Sequence, residues 1–344
     1  MSRPITYGTY LSLDKILGAQ APPGPDGAPR ALSHHDEMLF LIVHQAYELW
    51  FKQVLHELKL ARDLLAQDPV PEPDIMRVVM ALHRVHEIQK VLVAQLGVLE
   101  TMNPADFLAF RDALGNASGF QSVQFREMEL LAGLKDEVRY EYEGASFERR
   151  FAPAETARFK ALRGEPTVRD ALALWLARTP LEPGFEAAYL KAFEGYVGAQ
   201  RALQEGNRQL AGTEREATLK RLDDYLAQGR AFLSGPETKT RAACLFIAAY
   251  REEPLLHWPN RLLDSLLEFE ELWRLWRFRH ARMVERMIGL RVGTGGSSGV
   301  DYLDRTAGNR YRIFTFILES RSFLVPRRLL PDLSDRGRYG FAAG

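Results

Sequence analysis

Two of the chain's eight histidines, His44 and His280, stand where an imidazole has chemistry available to it. His44 lies in the stretch SHHDEMLFLIVHQAYELWFKQVLHEL, with Phe40 one helical turn before it and Glu48 one turn after, so the three share a face. Met38, Leu39, Ile42, Val43, Ala46, Leu49, Trp50, Val54, Leu58 and Ala61 recur around it at helical spacing. An imidazole on such a stripe is costly unless something pairs with it. His280 falls among Leu262, Leu266, Phe269, Leu272, Trp273, Trp276, Val284 and Met287, the apolar side of a second long helix. Two histidines on separate helices are either two satisfied core residues or the sides of a cofactor site, since helix bundles build such sites from inward-facing side chains. A haem takes one axial imidazole and a pocket of controlled polarity. Phe40, Trp50, Trp273 and Trp276 suit a porphyrin or a plain core equally, and spacing does not choose between them.

Arg111, between Phe107, Phe110 and Leu114, is a second chemical feature. A guanidinium among aromatics pairs with an internal carboxylate or awaits a ligand's carboxylate or phosphate. Gly293-Thr-Gly-Gly-Ser-Ser-Gly299 is a third. It lacks the lysine and preceding strand of a phosphate-binding loop, so it reads as a hinge or a backbone-rich cover for a small ligand. His83 and His86 have i, i+3 spacing, but Arg84, Glu87 and Lys90 beside them read as a solvated face, which places both histidines at the surface.

The elements that must position these groups are helical. Ser33 and Asp36 suggest a capping box that opens a helix running to about Gln67, where Asp68-Pro-Val-Pro-Glu-Pro73 stops it. Residues 74–100 give a second long helix. Asn103-Pro104 starts a third, with Asn as cap and Pro at the first helical position. The small-residue loop GNASGFQSVQ enters another helix that carries Arg126 in its early turns. Residues 145–183, punctuated by Pro153, Pro166, Pro180 and Pro183, read as an added helical segment. Helices follow over 184–211, 213–232 and 237–250, and Pro259 opens the last long one, ending near Gly289. No strand alternation is sustained. The expected fold is all-α, a single-domain bundle of long helices (33–344) preceded by an arm and a Pro/Gly-rich loop (1–32).

Composition removes other classes. Forty-five basic and forty-five acidic residues balance, so neither nucleic acid nor an anionic membrane is an expected partner. Cys244 is the only cysteine, which excludes an internal disulfide framework and a cysteine-built metal site and fits a cytoplasmic protein. No signal peptide and no apolar run of membrane-spanning length is expected.

Taken together, TYGTYLSLDKILGAQ (6–20), HDEMLFLIVHQAYELWFKQVLHEL (35–58), ETMNPADFLAFRDALGNASGFQSVQFRE (100–127), RFRHARMVERMIG (277–289) and GTGGSSGVDYL (293–303) resemble the tryptophan 2,3-dioxygenase family. The resemblance implies a haem b enzyme, ferrous when active. With O2 it cleaves the indole C2–C3 bond of L-tryptophan to give N-formyl-L-kynurenine, the first step of tryptophan degradation. The alternative is a related haem enzyme oxygenating another indole. His280 resembles the proximal iron ligand and His44 the distal histidine beside the indole nitrogen. Arg111 resembles the partner of the substrate carboxylate, Phe40 and Phe107 the walls of the indole pocket, and Thr294 the residue closing over the substrate's ammonium and carboxylate. Phe107 takes a position that some members fill with tyrosine. Ser118 and Gly119 are implied near dioxygen, and Arg126 at a haem propionate. Tyr7, Tyr10 and Leu11 resemble an arm entering a neighbour's site, which implies a homo-oligomer, a homotetramer in this family.

Overall fold

The computed structural model describes residues 5–24, 26–115, 117–138, 147–207, 209–235, 237–289, 291 and 299–340. The elements are α1 (Tyr7–Leu11), α2 (Leu13–Leu17), α3 (Glu37–Leu65), α4 (Glu72–Leu99), α5 (Pro104–Arg111), α6 (Val123–Ala132), α7 (Pro153–Arg163), α8 (Val168–Ala177), α9 (Phe185–Glu205), α10 (Gly212–Phe232), α11 (Thr238–Ala249), α12 (His257–Ile288), α13 (Gly299–Thr306) and α14 (Thr315–Ser322), joined by short 3₁₀ turns. Among the described residues there is no strand; extended backbone pairs only in an isolated bridge between Pro23 and Pro29. The fold is all-α, and no helix of the described residues is long and apolar enough to cross a membrane.

The three longest helices carry the architecture. α4 packs along both α3 and α12, and α3 and α12 meet through their side chains where the Tyr47 and Trp276 rings stand edge to face at 6.0 Å. Val54, Leu58, Ala61 and Leu65 of α3 meet Val78, Leu82, Val85, Leu92 and Leu96 of α4, and Leu262 and Leu266 of α12 close the layer. A line of polar side chains runs through it. From α3, the Tyr47 hydroxyl donates to the Leu92 carbonyl at 2.8 Å, and the Gln95 amide of α4 donates back to Val43 O at 2.9 Å. On the other flank, His86 Nε2 and Gln89 Nε2 of α4 donate to Ser265 O at 2.8 Å and Phe269 O at 3.0 Å of α12.

Several sequence expectations change here. His86 is not at the surface with His83: it is 2% exposed, because the α4–α12 contact needs a donor for a buried carbonyl and an imidazole reaches it. The Ser33 box does not form. α3 begins at Glu37, whose buried carboxylate accepts the Ser33 backbone N–H at 2.6 Å and pairs with Arg30. Met38, Ile42, Leu49 and Trp50, expected within the buried stripe, lie on an exposed second apolar face of α3. Val168, Ala171, Leu172 and Leu176 of α8 are fully buried in the main core, with α8 against α3 and α11.

Candidate functional site

The ends of α3, α4, α5, α6, α12 and α13 surround a cavity of about 280 Å³. His44 and His280 both line it, with Phe51, Phe107, Phe120, Phe125 and Trp276 as its aromatic walls. Trp50 is exposed and takes no part, and Trp273 stands one layer back, stacked on Phe125 at 5.1 Å. The cavity therefore combines aromatic sides with histidines and charged side chains from several helices, a make-up that suits a small-molecule or cofactor site.

His44 is held by its own helix. Its Nδ1 lies 2.7 Å from the carbonyl of Phe40, one turn back. A carbonyl only accepts, so Nδ1 carries the hydrogen and Nε2 is left as an acceptor. Phe40 does not line the cavity itself: its ring packs 4.0 Å from the His44 ring and 5.9 Å from Phe107, backing both. His44 is exposed by surface area, yet neighbouring atoms desolvate the ring enough to lower its pKa from the ordinary histidine value, against the opposing effects of the Phe40 carbonyl and Glu48.

His280 is set differently. Its ring stacks on Trp276, one turn earlier on α12, with planes 5° apart. Nδ1 is buried without a hydrogen-bond partner among the described residues, and none of these residues hydrogen-bonds the other nitrogen. Burial, with a smaller effect from His44, lowers its pKa to about 4. A neutral imidazole with no protein partner, facing an aromatic cavity, is the form in which histidine ligates a metal. These residues fit a haem held through His280.

Arg111 reaches the cavity from the C-terminal end of α5, which starts as the sequence indicates: Asn103 Oδ1 accepts the Ala105 N–H at 3.0 Å, and Pro104 occupies the first turn. Ser118 and Gly119 form another part of the wall. Ser118 caps a 3₁₀ turn over Gly119–Gln121, with its N–H donating to Gln121 Oε1 at 3.0 Å. A Cβ added at Gly119 would meet nothing within 4 Å, so the wall is open there. Arg126 lies on α6, started by the Ser122 cap, and its guanidinium donates to Glu129 at 3.0 Å. Tyr7, Tyr10 and Leu11 are exposed and line no part of this chain's cavity. The segment after them is tied down beside His44: Gln45 Nε2 donates to Ala19 O at 2.8 Å and Gln20 Nε2 donates to Gln45 Oε1 at 2.7 Å. Thr294 lies outside the described residues.

The structure adds residues that the sequence reading passed over. Glu129, Arg277, Phe120 and Tyr302 all line the cavity. Phe120 and Tyr302 meet edge to face at 5.0 Å, joining the Ser118 turn to α13. The available signal was charge on apolar helix faces: Glu129 stands three residues after Arg126, and Arg277 three before His280.

Fold and cavity define a helical-bundle protein with an aromatic-walled cavity between two histidine-bearing helices. The family comparison is specific within that class. The tryptophan 2,3-dioxygenase family model matches residues 1–324, and the chain belongs to that family. It is 42% identical to tryptophan 2,3-dioxygenase 2 of Ralstonia nicotianae, over 99% of this chain and 98% of the relative. It is 39% identical to tryptophan 2,3-dioxygenase of Alteromonas mediterranea, over 98% of each chain, and 38% identical to tryptophan 2,3-dioxygenase B of Danio rerio, over 96% of this chain and 84% of that one.

Proposed function

We propose that the protein is a haem b-dependent dioxygenase that converts L-tryptophan and O2 to N-formyl-L-kynurenine. The observation that carries this reading is the pair of neutral histidines on one aromatic cavity, one with a defined acceptor nitrogen and one with no protein partner. Haem, when bound, supplies the activation of dioxygen and the insertion of its two atoms across the indole C2–C3 bond.

The chain's own residues bind and orient. His280 would hold the iron of a bound haem. His44 Nε2 accepts the indole N–H and so fixes the ring's direction; its role is positioning. Phe107, backed by Phe40, forms an apolar slot for the indole. Arg111 takes the substrate carboxylate in two-point geometry, a planar match that an ammonium does not reproduce. Ser118 and Gly119 leave the wall open beside the reacting face. Arg126 would pair with a haem propionate, and Thr294 would close over the substrate's ammonium and carboxylate. The aromatic walls exclude water from the reaction.

The functional assembly is a homotetramer in the cytoplasm, with residues 1–32 as an arm. Ile5, Tyr7, Tyr10 and Leu17 are exposed on α1 and α2 and beside them, and Met38, Ile42, Leu49 and Trp50 expose a second apolar face of α3. Together they supply apolar surface for neighbouring copies, with Tyr7, Tyr10 and Leu11 reaching a neighbour's site.

One cuvette tests the activity. The purified protein is loaded with haem, reduced with ascorbate and given L-tryptophan in air. Growth of the near-ultraviolet band of N-formylkynurenine with a tryptophan-sensitive Soret band is expected. A Soret band with no product would overturn the substrate assignment, and no Soret band after reconstitution would overturn the role of His280.

A further inference from the structure

Three charged side chains stand together on the cavity wall, and all three are buried: Arg126 is 6% exposed, Glu129 3% and Arg277 4%. They come from two helices. On α6, Arg126 Nη1 donates to Glu129 Oε2 at 3.0 Å. From α12, Arg277 Nη2 donates to Glu129 Oε1 at 2.6 Å, so each carboxylate oxygen takes a different guanidinium. Arg277 is held at two further points: Nη1 donates to Thr306 O on α13 at 2.8 Å, and Cζ lies 4.7 Å from the Tyr311 ring centroid. Phe125 lies beside both guanidiniums, 5.4 Å from the ring centroid for Arg126 and 5.9 Å for Arg277. Arg277 is three residues from His280 on the same helix.

We propose that Glu129 is a tuning and positioning residue of the cofactor site: it holds the two cavity-lining guanidiniums with opposite oxygens and sets the electrostatic potential felt by a haem iron at His280. The inference rests on the haem reading above. Buried charges interact through a low local dielectric and are weakly screened, so a full charge on this wall acts on an iron in the same cavity. A negative charge near the iron favours the ferric over the ferrous state. Glu129 therefore lowers the ferric/ferrous midpoint potential, and Arg277 raises it.

Spectroelectrochemical titration of the haem-loaded protein tests this. Glu129→Gln keeps the shape and removes the charge, and its midpoint is expected to rise. Arg277→Met is expected to lower it. The double variant Glu129→Gln with Arg277→Met is expected to return close to the unaltered protein, which a merely structural role for Glu129 would not produce. A folded Glu129→Gln protein with an unchanged midpoint overturns the proposal. If Glu129→Gln does not fold, Arg277→Met alone decides: a lower midpoint supports the proposal and an unchanged one overturns it. Failure of the unaltered protein to take up haem overturns the haem reading and this proposal with it; haem uptake with a potential indifferent to both residues overturns this proposal alone.

Discussion

Trp276 and His280 stack one turn apart on α12, ring centroids 4.9 Å apart and planes within 5° of parallel. Lacking a hydrogen bond to steer it among the described residues, the imidazole takes its direction from this stack. Trp276 is itself sandwiched, at 5.9 Å from Trp273 and 5.4 Å from Phe125. Trp276→Ala is expected to cost about 3 kcal/mol of stability and to release haem, read as loss of Soret absorbance after gel filtration. Trp276→Phe keeps a stacking ring and is expected to retain most of the haem. Equal retention in both variants would dissociate the stack from cofactor binding.

The His44 tautomer gives a pH prediction. Desolvation lowers its pKa below the ordinary histidine value, so the ring is neutral above that lowered value and Nε2 accepts. Activity is expected to be level through pH 7 and to fall only on the acid side, where Nε2 gains a proton and becomes a donor. His44→Ala removes one neutral hydrogen bond worth about 1 kcal/mol, a KM increase of roughly fivefold with turnover retained. Complete loss of turnover with normal haem and substrate binding would assign His44 an essential acid–base role instead.

Arg111→Lys keeps the charge and loses the fork. A loss of roughly 10- to 100-fold in kcat/KM is expected from the weaker two-point carboxylate contact, carried by KM, with the haem spectrum unchanged. Saturation curves on both proteins check this, and an unchanged KM would remove Arg111 from substrate recognition.

Gly229 on α10 tests packing away from this chemistry. A Cβ there would stand 2.2 Å from Cε1 and 2.6 Å from Cζ of Phe193, which is itself 1% exposed. Alanine gains about 1 kcal/mol of helix propensity, but forcing the ring aside costs about 1–3 kcal/mol. Gly229→Ala is therefore expected to lower the melting temperature by a few degrees; a rise would show that α9 and α10 part without cost.

Glu37 makes the start of α3 acid-sensitive. The Arg30 side chain holds its carboxyl below the usual range, with the Ser33 N–H adding to the effect against desolvation. A depressed folded pKa gives stability that is present above the unfolded carboxylate value and lost as pH falls through the folded one. Glu37→Gln is expected to lose stability at pH 7 and to flatten the acid limb of a melting-temperature profile below about pH 4.5. A parallel limb in both proteins would place the acid sensitivity elsewhere.

The helices were legible because apolar spacing, prolines and the Asn103 cap act locally. His44, His280 and Arg111 were visible as polar groups on apolar faces, and the structure brings them to one cavity. Burial that depends on a partner was not legible. His86 has charged neighbours in sequence, and only the placement of α12 supplies the Ser265 carbonyl that buries it. Met38, Ile42, Leu49 and Trp50 read as core because periodicity reports apolarity without telling an inner face from a face that waits for another surface. Glu129 and Arg277 are 148 positions apart, and nothing local joins them.

The four side-chain bonds that run through α4 give that helix the function of a gauge. His44 and His280 ride on α3 and α12, and α4 is bonded to both, so the gap between them depends on Tyr47 and Gln95 on one flank and His86 and Gln89 on the other. Of these, only Tyr47 borders the cavity. A substitution on α4 that never meets a ligand thus changes the clearance available to one, and the width of the active cleft is inherited from a helix whose polar residues look outward to neither reactant.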